Sequence, residues 1–431
     1  MNTGLLLLLV FLGLCVLRVP VSVGLLLSAV TAAIVERIDL IVVVQQFWRS
    51  LESFTLLAIP LFLLSGTFME AGGIVERIAK FSDTMVGHIK GSLGHVAVLC
   101  NMMLAGVSGS ATADAAAVGS MFIPAMKKAG YGGELAAAIS AASATMGPII
   151  PPSLIMVVYA SSAGVSTGAL FLSGVIPGIL VGVTQMLIVY NIARKSNLGV
   201  SHARSPFKQM ARDFVGCFPA LLVPVIIIIG IVMGIFTATE AAMIAAAYCL
   251  AVSMLLYRSI KPRDLFGLFR KAALSAAPCL FCIGAAGVFG WMLAYLNVPT
   301  MIMEVMSPFV SGPESVLLML SGLFIIVGMF MDALPAIVIF QPIVSALSAQ
   351  GGCDPMHTAI VVALVLCFGL MTPPYGITLL LSAQISKVRS LPVARLLIPF
   401  YIVFMVIVLI IIFFPETALF LPRMLMPQSF A

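Results

Sequence analysis

The sequence predicts an all-α polytopic membrane protein built as an inverted structural repeat, with about ten transmembrane helices, two re-entrant hairpins and two broken helices. Three observations carry this. First, 62% of the 431 residues are hydrophobic and only 9% charged, whereas a soluble chain is roughly half apolar and a quarter charged. Second, no charged residue occurs from Leu135 to Ala193, from Ala272 to Met303, or from Pro355 to Ser386. A span needs about 20 apolar residues, so these stretches hold several. Third, the Gly/Pro interruptions of the apolar runs recur at a single constant offset, the one that carries Gly106 onto Gly328. A soluble enzyme, a nucleic-acid binder and a disulfide-built secreted domain are excluded. The net charge of +6 is a topology signal in such a chain.

Apolar runs bounded by charges or by Pro/Gly turns fall at 4–17, 21–35, 53–70, 92–126, 133–163 and 169–193. A second set falls at 219–236, 241–257, 275–292, 313–350, 355–385 and 391–415. The first run lacks a preceding basic region and continues past Arg18 and Pro20, so it reads as a retained span and not a cleavable signal. Two runs in each set are too long for one span. Run 92–126 is broken at Gly106–Asp114 (GVSGSATAD), and 133–163 at Gly147–Ser153 (GPIIPPS). Run 313–350 is broken at Gly328–Ala336 (GMFMDALPA), and 355–385 at Gly369–Gly376 (GLMTPPYG). The stretch 72–90 is amphipathic and basic, suited to lie along the cytoplasmic interface as a brace.

The same offset links Gly106 to Gly328, Gly147 to Gly369, Pro151 to Pro373, Pro152 to Pro374, and Pro177 to Pro399. This marks an internal duplication, with a first repeat at 1–195, a cytoplasmic connector at 196–216 containing most of the basic hinge 194–213, and a second repeat at 217–431. If 92–126 and 313–350 are re-entrant hairpins, each half crosses five times and the halves are inverted; if each crosses once, the halves are parallel. The hairpin arrangement puts 19 of the 22 Lys and Arg residues inside, leaving Arg37, Arg49 and Arg423 outside, against 15 inside for the best crossing-only arrangement. The positive-inside rule selects hairpins, with both termini periplasmic.

Backbone freed from helix bonding inside hydrocarbon is tolerated only where protein buries it or a polar cavity meets it. Four such breaks in a duplicated pattern are the build of a secondary transporter, in which loose carbonyls suit a small hard cation and half-helix N-termini suit an anion. Ser108, Ser110 and Thr112 offer hydroxyls in the first hairpin, and Thr372 offers one at the second broken helix. Each Pro-Pro supplies carbonyls without donors and forbids continuous helix. The residue types point to two mostly neutral, oxygen-rich sites of sodium type, one at the first hairpin with Gly147–Pro152 and one at the second with Gly369–Tyr375. Asp114 reads either as the N-cap of the second hairpin arm or as a functional acid at membrane depth. Asp332, at the tip position matching Ser110, is assigned a role near the second cation site. Glu240 reads as a helix cap. His88, His95, His202 and His357 form no metal cluster, and Cys279 and Cys282 read as small packing residues on one helix face.

At these motifs the chain resembles the large membrane subunit of tripartite ATP-independent periplasmic (TRAP) transporters, the DctM-like permeases. The matching segments are Ser108–Gly119 (SGSATADAAAVG), Pro148–Ser153 (PIIPPS), Phe236–Ala241 (FTATEA), Gly328–Asp332 (GMFMD) and Gly369–Gly376 (GLMTPPYG). The chain departs from the family at Ala238, where proline is common, and at Leu334, where threonine is common; the second change removes a hydroxyl from the second hairpin. The resemblance implies a sodium-driven elevator, in which a transport core of hairpins and broken helices shifts against a scaffold. It implies Ser108, Gly147, Ile149 and Pro152 as ligands of one sodium ion, and Gly328, Gly369, Thr372 and Tyr375 as ligands of the other. It also implies two partners, a small four-helix membrane subunit and a periplasmic substrate-binding protein.

The expectation is therefore a sodium-coupled symport permease of the bacterial inner membrane, not an enzyme, with sodium as coupling ion and no other cofactor. Its cargo would be a small organic acid such as a dicarboxylate, sialic acid or sugar acid, held between the hairpin tips near Ser110, Thr112 and Asp332. The alternative is a stand-alone ion-coupled carrier or sodium/proton antiporter of the same build. An intramembrane enzyme would need a paired nucleophile and base, and only Asp114 lies near Ser108 and Ser110.

Overall fold

The computed structural model describes residues 3–17, 19–196, 198–200 and 203–430. Arg18 and His202, both named above, lie outside the described residues. The described residues form helices and the turns between them, with no strand. Among the described residues seven helices are long and apolar enough to cross a bilayer, or eight if one bent pair is counted as a single span.

The chain opens with α1 (Thr3–Val16), α2 (Val21–Val35) and α3 (Leu40–Leu51), then α4 (Ala58–Ala71) and the amphipathic α5 (Ile74–Val86). The helix α3 lies between two apolar runs. Its apolar residues Leu40, Val43, Val44 and Phe47 follow helical spacing, and Asp39 caps it by accepting from Ile41 N at 3.0 Å. The first hairpin is α6 (Ser92–Ser108) and α7 (Ala111–Lys128), followed by the broken helix α8 (Gly133–Ala144) and α9 (Leu154–Ala163), then α10 (Thr167–Lys195).

The second half repeats this order. After α11 (Phe207–Val232), α12 (Ala238–Ala251) and α13 (Leu265–Tyr295) comes the short α14 (Val298–Met306). The second hairpin is α15 (Pro313–Phe330) and α16 (Ala333–Gln350), the second broken helix α17 (Pro355–Gly369) and α18 (Ile377–Ser386). The chain then runs through α19 (Ser390–Leu396), α20 (Ile398–Phe413) and α21 (Glu416–Leu425); α19 and α20 meet at a 55° bend. The offset holds at the level of elements. Shifted by it, α7 coincides with α16 at both ends, and the last residue of α6 falls on the last residue of α15.

Two boundaries differ from the sequence reading. Helix α11 starts at Phe207, inside the expected connector 196–216, because Lys208, Gln209, Met210, Ala211 and Arg212 are good helix formers although not apolar as a run. The breaks are also narrower at the hairpins than the motifs suggested. Only Gly109–Ser110 and Met331–Asp332 interrupt them, since Ala, Val, Met and Phe on either side keep helical geometry.

The core is set by the first limbs of the broken helices. Residues 136–144 of α8 and 356–369 of α17 are buried without exception, as expected for helices hydrophobic all round. The second limbs cross over: α18 packs on α7 and α8, while α9 packs on α16 and α17. Lys127 Nζ donates to Ser386 O at 2.9 Å, and Ser386 Oγ to Gly133 O at 2.7 Å, fastening the end of α18 to the first hairpin and to the start of α8. Helix α5 braces the outside of this core. Lys80 pairs with Asp213 of α11 at 3.3 Å, and the Arg77 guanidinium lies 3.9 Å over the Tyr257 ring.

Candidate functional site

The first hairpin turns at Gly109, whose φ of +59° is easily reached only without a side chain. A Cβ there would sit 2.7 Å from Pro152 O, so the tip rests directly on the first broken helix. Leu154 N closes the contact by donating to Gly109 O at 3.4 Å. Ser110 caps α7: its hydroxyl accepts from Ala113 N at 3.5 Å and lies 3.0 Å from the Thr112 hydroxyl.

Asp114 is therefore not the N-cap. It stands in the first turn of α7, completely buried. Its Oδ1 accepts from Ser108 Oγ at 2.5 Å, while Oδ2 has no partner. That free oxygen faces the first break, where a Cβ on Gly147 would lie 2.4 Å from it and 3.0 Å from Ser110 O. Ser108, Gly147 and Pro152 thus gather around the hairpin tip. Ile149 belongs to the same break, but its carbonyl abuts Gly174 of α10, where a Cβ would stand 2.3 Å away. The sequence carries no sign of the pairing between Ser108 and Asp114. Their separation is not a same-face spacing on a continuous helix, and only the turn at Gly109 folds one back on the other.

The second site follows the same plan with different groups. Asp332, the repeat mate of Ser110, caps α16 by accepting from Ala333 N at 2.7 Å. Gly328 and Gly369 meet backbone to backbone, and a Cβ on Gly369 would lie 2.6 Å from Gly328 Cα. Tyr375 N donates to Met329 O at 3.1 Å, joining the break to the hairpin, while the Tyr375 side chain is exposed. The Thr372 hydroxyl donates to Phe368 O at 2.8 Å, which leaves its lone pairs free. From outside the break, Tyr401 of α20 donates to Met371 O at 2.8 Å. Gly328, Gly369, Thr372 and the Tyr375 backbone are therefore neighbours.

The two tips share one narrow cleft of about 40 Å³. Ser110, Thr112 and Asp332 line it with polar atoms, and Leu154, Ile155, Leu334 and Leu370 with apolar ones. Asp332 is the only ionisable residue of its lining. Pro148 and Leu370, which are repeat mates, bring both breaks to the same wall. Leu334, one of the two family departures, is part of this wall.

Residues 8–417 match the family described as tripartite ATP-independent periplasmic transporter, DctM component. The chain belongs to the DctM family. The sialic acid TRAP transporter large permease of Vibrio cholerae is 32% identical over 96% of this chain and 97% of that protein. The C4-dicarboxylate TRAP transporter large permease of Pseudomonas aeruginosa is 34% identical over 88% of this chain and 89% of that protein. Among solved structures, the Alcanivorax borkumensis YdaH transporter shares the fold, with a TM-score of 0.62 over 86% of each chain at 13% identity. This DctM protein is accordingly a multi-pass membrane transport permease and the large subunit of a tripartite system.

A further part of the DctM site has a signal in the sequence. Gly174, Gly178 and Gly182 recur every fourth residue along α10, the spacing that lets membrane helices approach closely. Gly174 and Gly178 are the face on which Ile149 and Ile150 of the first break lie.

Proposed function

We propose that this chain is the sodium-coupled permease of a bacterial inner-membrane importer for small organic acids, working by an elevator movement. The observation that carries the reading is the shared cleft, built from both hairpin tips and both breaks. Once the tips part to admit cargo, a ligand there would touch both halves at once, and cations at Ser108/Gly147/Ile149/Pro152 and Gly328/Gly369/Thr372/Tyr375 would lie behind it. Asp114 fits the first of these sites: a buried carboxylate with one unpartnered oxygen calls for a positive partner. With no Lys or Arg in the cleft, the charge of an organic anion would be met by the bound cations, by backbone donors and by the N-terminal ends of α7 and α9. Ser110 and Thr112 would hydrogen-bond the cargo, and Asp332 would accept from its hydroxyl groups.

In this reading the halves are inverted, both termini are periplasmic, and the connector after α10 is cytoplasmic. A small four-helix membrane subunit holds the scaffold, and a periplasmic binding protein delivers cargo. The test is uptake of sialic acid, C4-dicarboxylates and sugar acids into proteoliposomes holding this chain and its small subunit. An inward sodium gradient and the binding protein are each added or omitted. Uptake that needs both is expected. Uptake indifferent to sodium would refute the coupling, and uptake with sodium alone would make the protein a stand-alone carrier.

A further inference from the structure

A second polar cluster lies one helical turn before the first break, away from the hairpin tip. Asn101 of α6 and Gln185 of α10 converge on consecutive residues of α8. Asn101 Nδ2 donates to Ser143 Oγ at 2.6 Å, and Gln185 Nε2 donates to Ala142 O at 3.0 Å. The Gln185 orientation follows from chemistry, because Ala142 O only accepts; with Asn101 Nδ2 as donor, Ser143 Oγ gives its own proton to Ser140 O at 3.2 Å. That leaves Asn101 Oδ1 and Gln185 Oε1 as acceptors without donors, on side chains 0% and 3% exposed. Two buried carboxamide oxygens call for a cation or a water.

The cluster belongs to one half only. At the repeat offset, Asn101, Ser143 and Gln185 correspond to Leu323, Val365 and Ile407. The second half thus fills the same positions with hydrocarbon, so packing of these helices does not require polar groups there. Between the cluster and the break stand two thioethers. A Cβ on Gly182 would lie 2.6 Å from Met102 Sδ and 3.1 Å from Met146 Sδ, and methionine is the core side chain most able to swing aside. Helix α8 begins just after Lys127 and Lys128, which the charge count places in the cytoplasm, so the cluster lies on the cytoplasmic side of the break.

We propose that Asn101, Ser143 and Gln185 form a hydrated sodium site on the cytoplasmic side of the first half, which receives the ion leaving the first break. The proposal rests on the sodium-coupled reading above and adds a site to it. Hydrated sodium fits because the free groups are neutral oxygens, which hold a monovalent ion weakly enough to release it.

The test is equilibrium binding of radioactive sodium to the purified full-length chain, with potassium keeping the ionic strength constant. It compares the wild type, the double variant N101L/Q185I, which imports the residues of the second half, and N101D. The double variant should bind about one sodium ion fewer per chain at saturation, while N101D should bind the full number with half-saturation at a severalfold lower concentration. Thermal unfolding of each variant establishes that it is folded, and the opposite response of N101D is one that a mere packing role would not give. If both variants bind the wild-type number of ions with unchanged half-saturation, the cluster holds water alone and the proposal fails. If the wild type itself binds no sodium in preference to potassium, the sodium-coupled reading fails with it.

Discussion

Gly147 and Gly369 are the residues at which the two candidate sites are most tightly closed. A methyl group on Gly147 would be driven into Asp114 Oδ2, and one on Gly369 into the Gly328 backbone. Overpacking of this kind costs about 1–3 kcal/mol. Gly147→Ala and Gly369→Ala should each lower the thermal midpoint of the purified chain and abolish uptake, whereas alanine at Gly216, which has open space around it, should do neither. Ser108→Ala removes the donor to Asp114 and, in the proposed role, one ligand of the first ion. The sodium concentration for half-maximal uptake should then rise about tenfold, the equivalent of ~1.4 kcal/mol; an unchanged value would remove Ser108 from the site. At this scale the sequence identifies the hydroxyls and glycines because residue type alone signals them. It leaves Asp114 between cap and function, because a carboxylate near a helix start looks the same in both roles. The cap is Ser110, and the inward turn of Asp114 depends on the fold at Gly109.

Helix starts illustrate what local pattern does and does not encode. Thr237 and Glu240 form a reciprocal capping box, with Glu240 Oε2 accepting from Thr237 N at 2.8 Å and Thr237 Oγ1 accepting from Glu240 N at 3.3 Å. The sequence shows it as a threonine followed three residues later by glutamate. Thr237→Ala should cost about 1 kcal/mol, seen as a lower unfolding midpoint with sodium dependence intact. A variant that lost sodium dependence instead would show that this turn belongs to the transport machinery. By contrast, α3 and the first turns of α11 escape a search for apolar runs, which sees only helix that faces lipid or core on every side. Both are only partly buried, and the amphipathic spacing of Leu40, Val43, Val44 and Phe47 is the signal that reveals α3.

The relation between the halves is a property of the whole molecule. Lys128 and Gln350 occupy equivalent repeat positions at the ends of α7 and α16, and both are exposed. In the inverted arrangement Lys128→Cys, made in a chain without its native cysteines, reacts with an impermeant thiol reagent only from the cytoplasm, and Gln350→Cys only from the periplasm. Labelling of both from one side would make the halves parallel and overturn the hairpin topology. The sequence by itself determined that this protein lives in a bilayer, that it is duplicated, and where its helices break. These follow from composition and from Gly and Pro, whose effects on solvation and backbone act within a few residues. Only the tertiary structure decided that α9 packs on the second hairpin and α18 on the first, that Asp114 faces Gly147, and that both tips share one cleft. Those facts rest on contacts between residues far apart in the chain, where close packing, not local propensity, selects the partner.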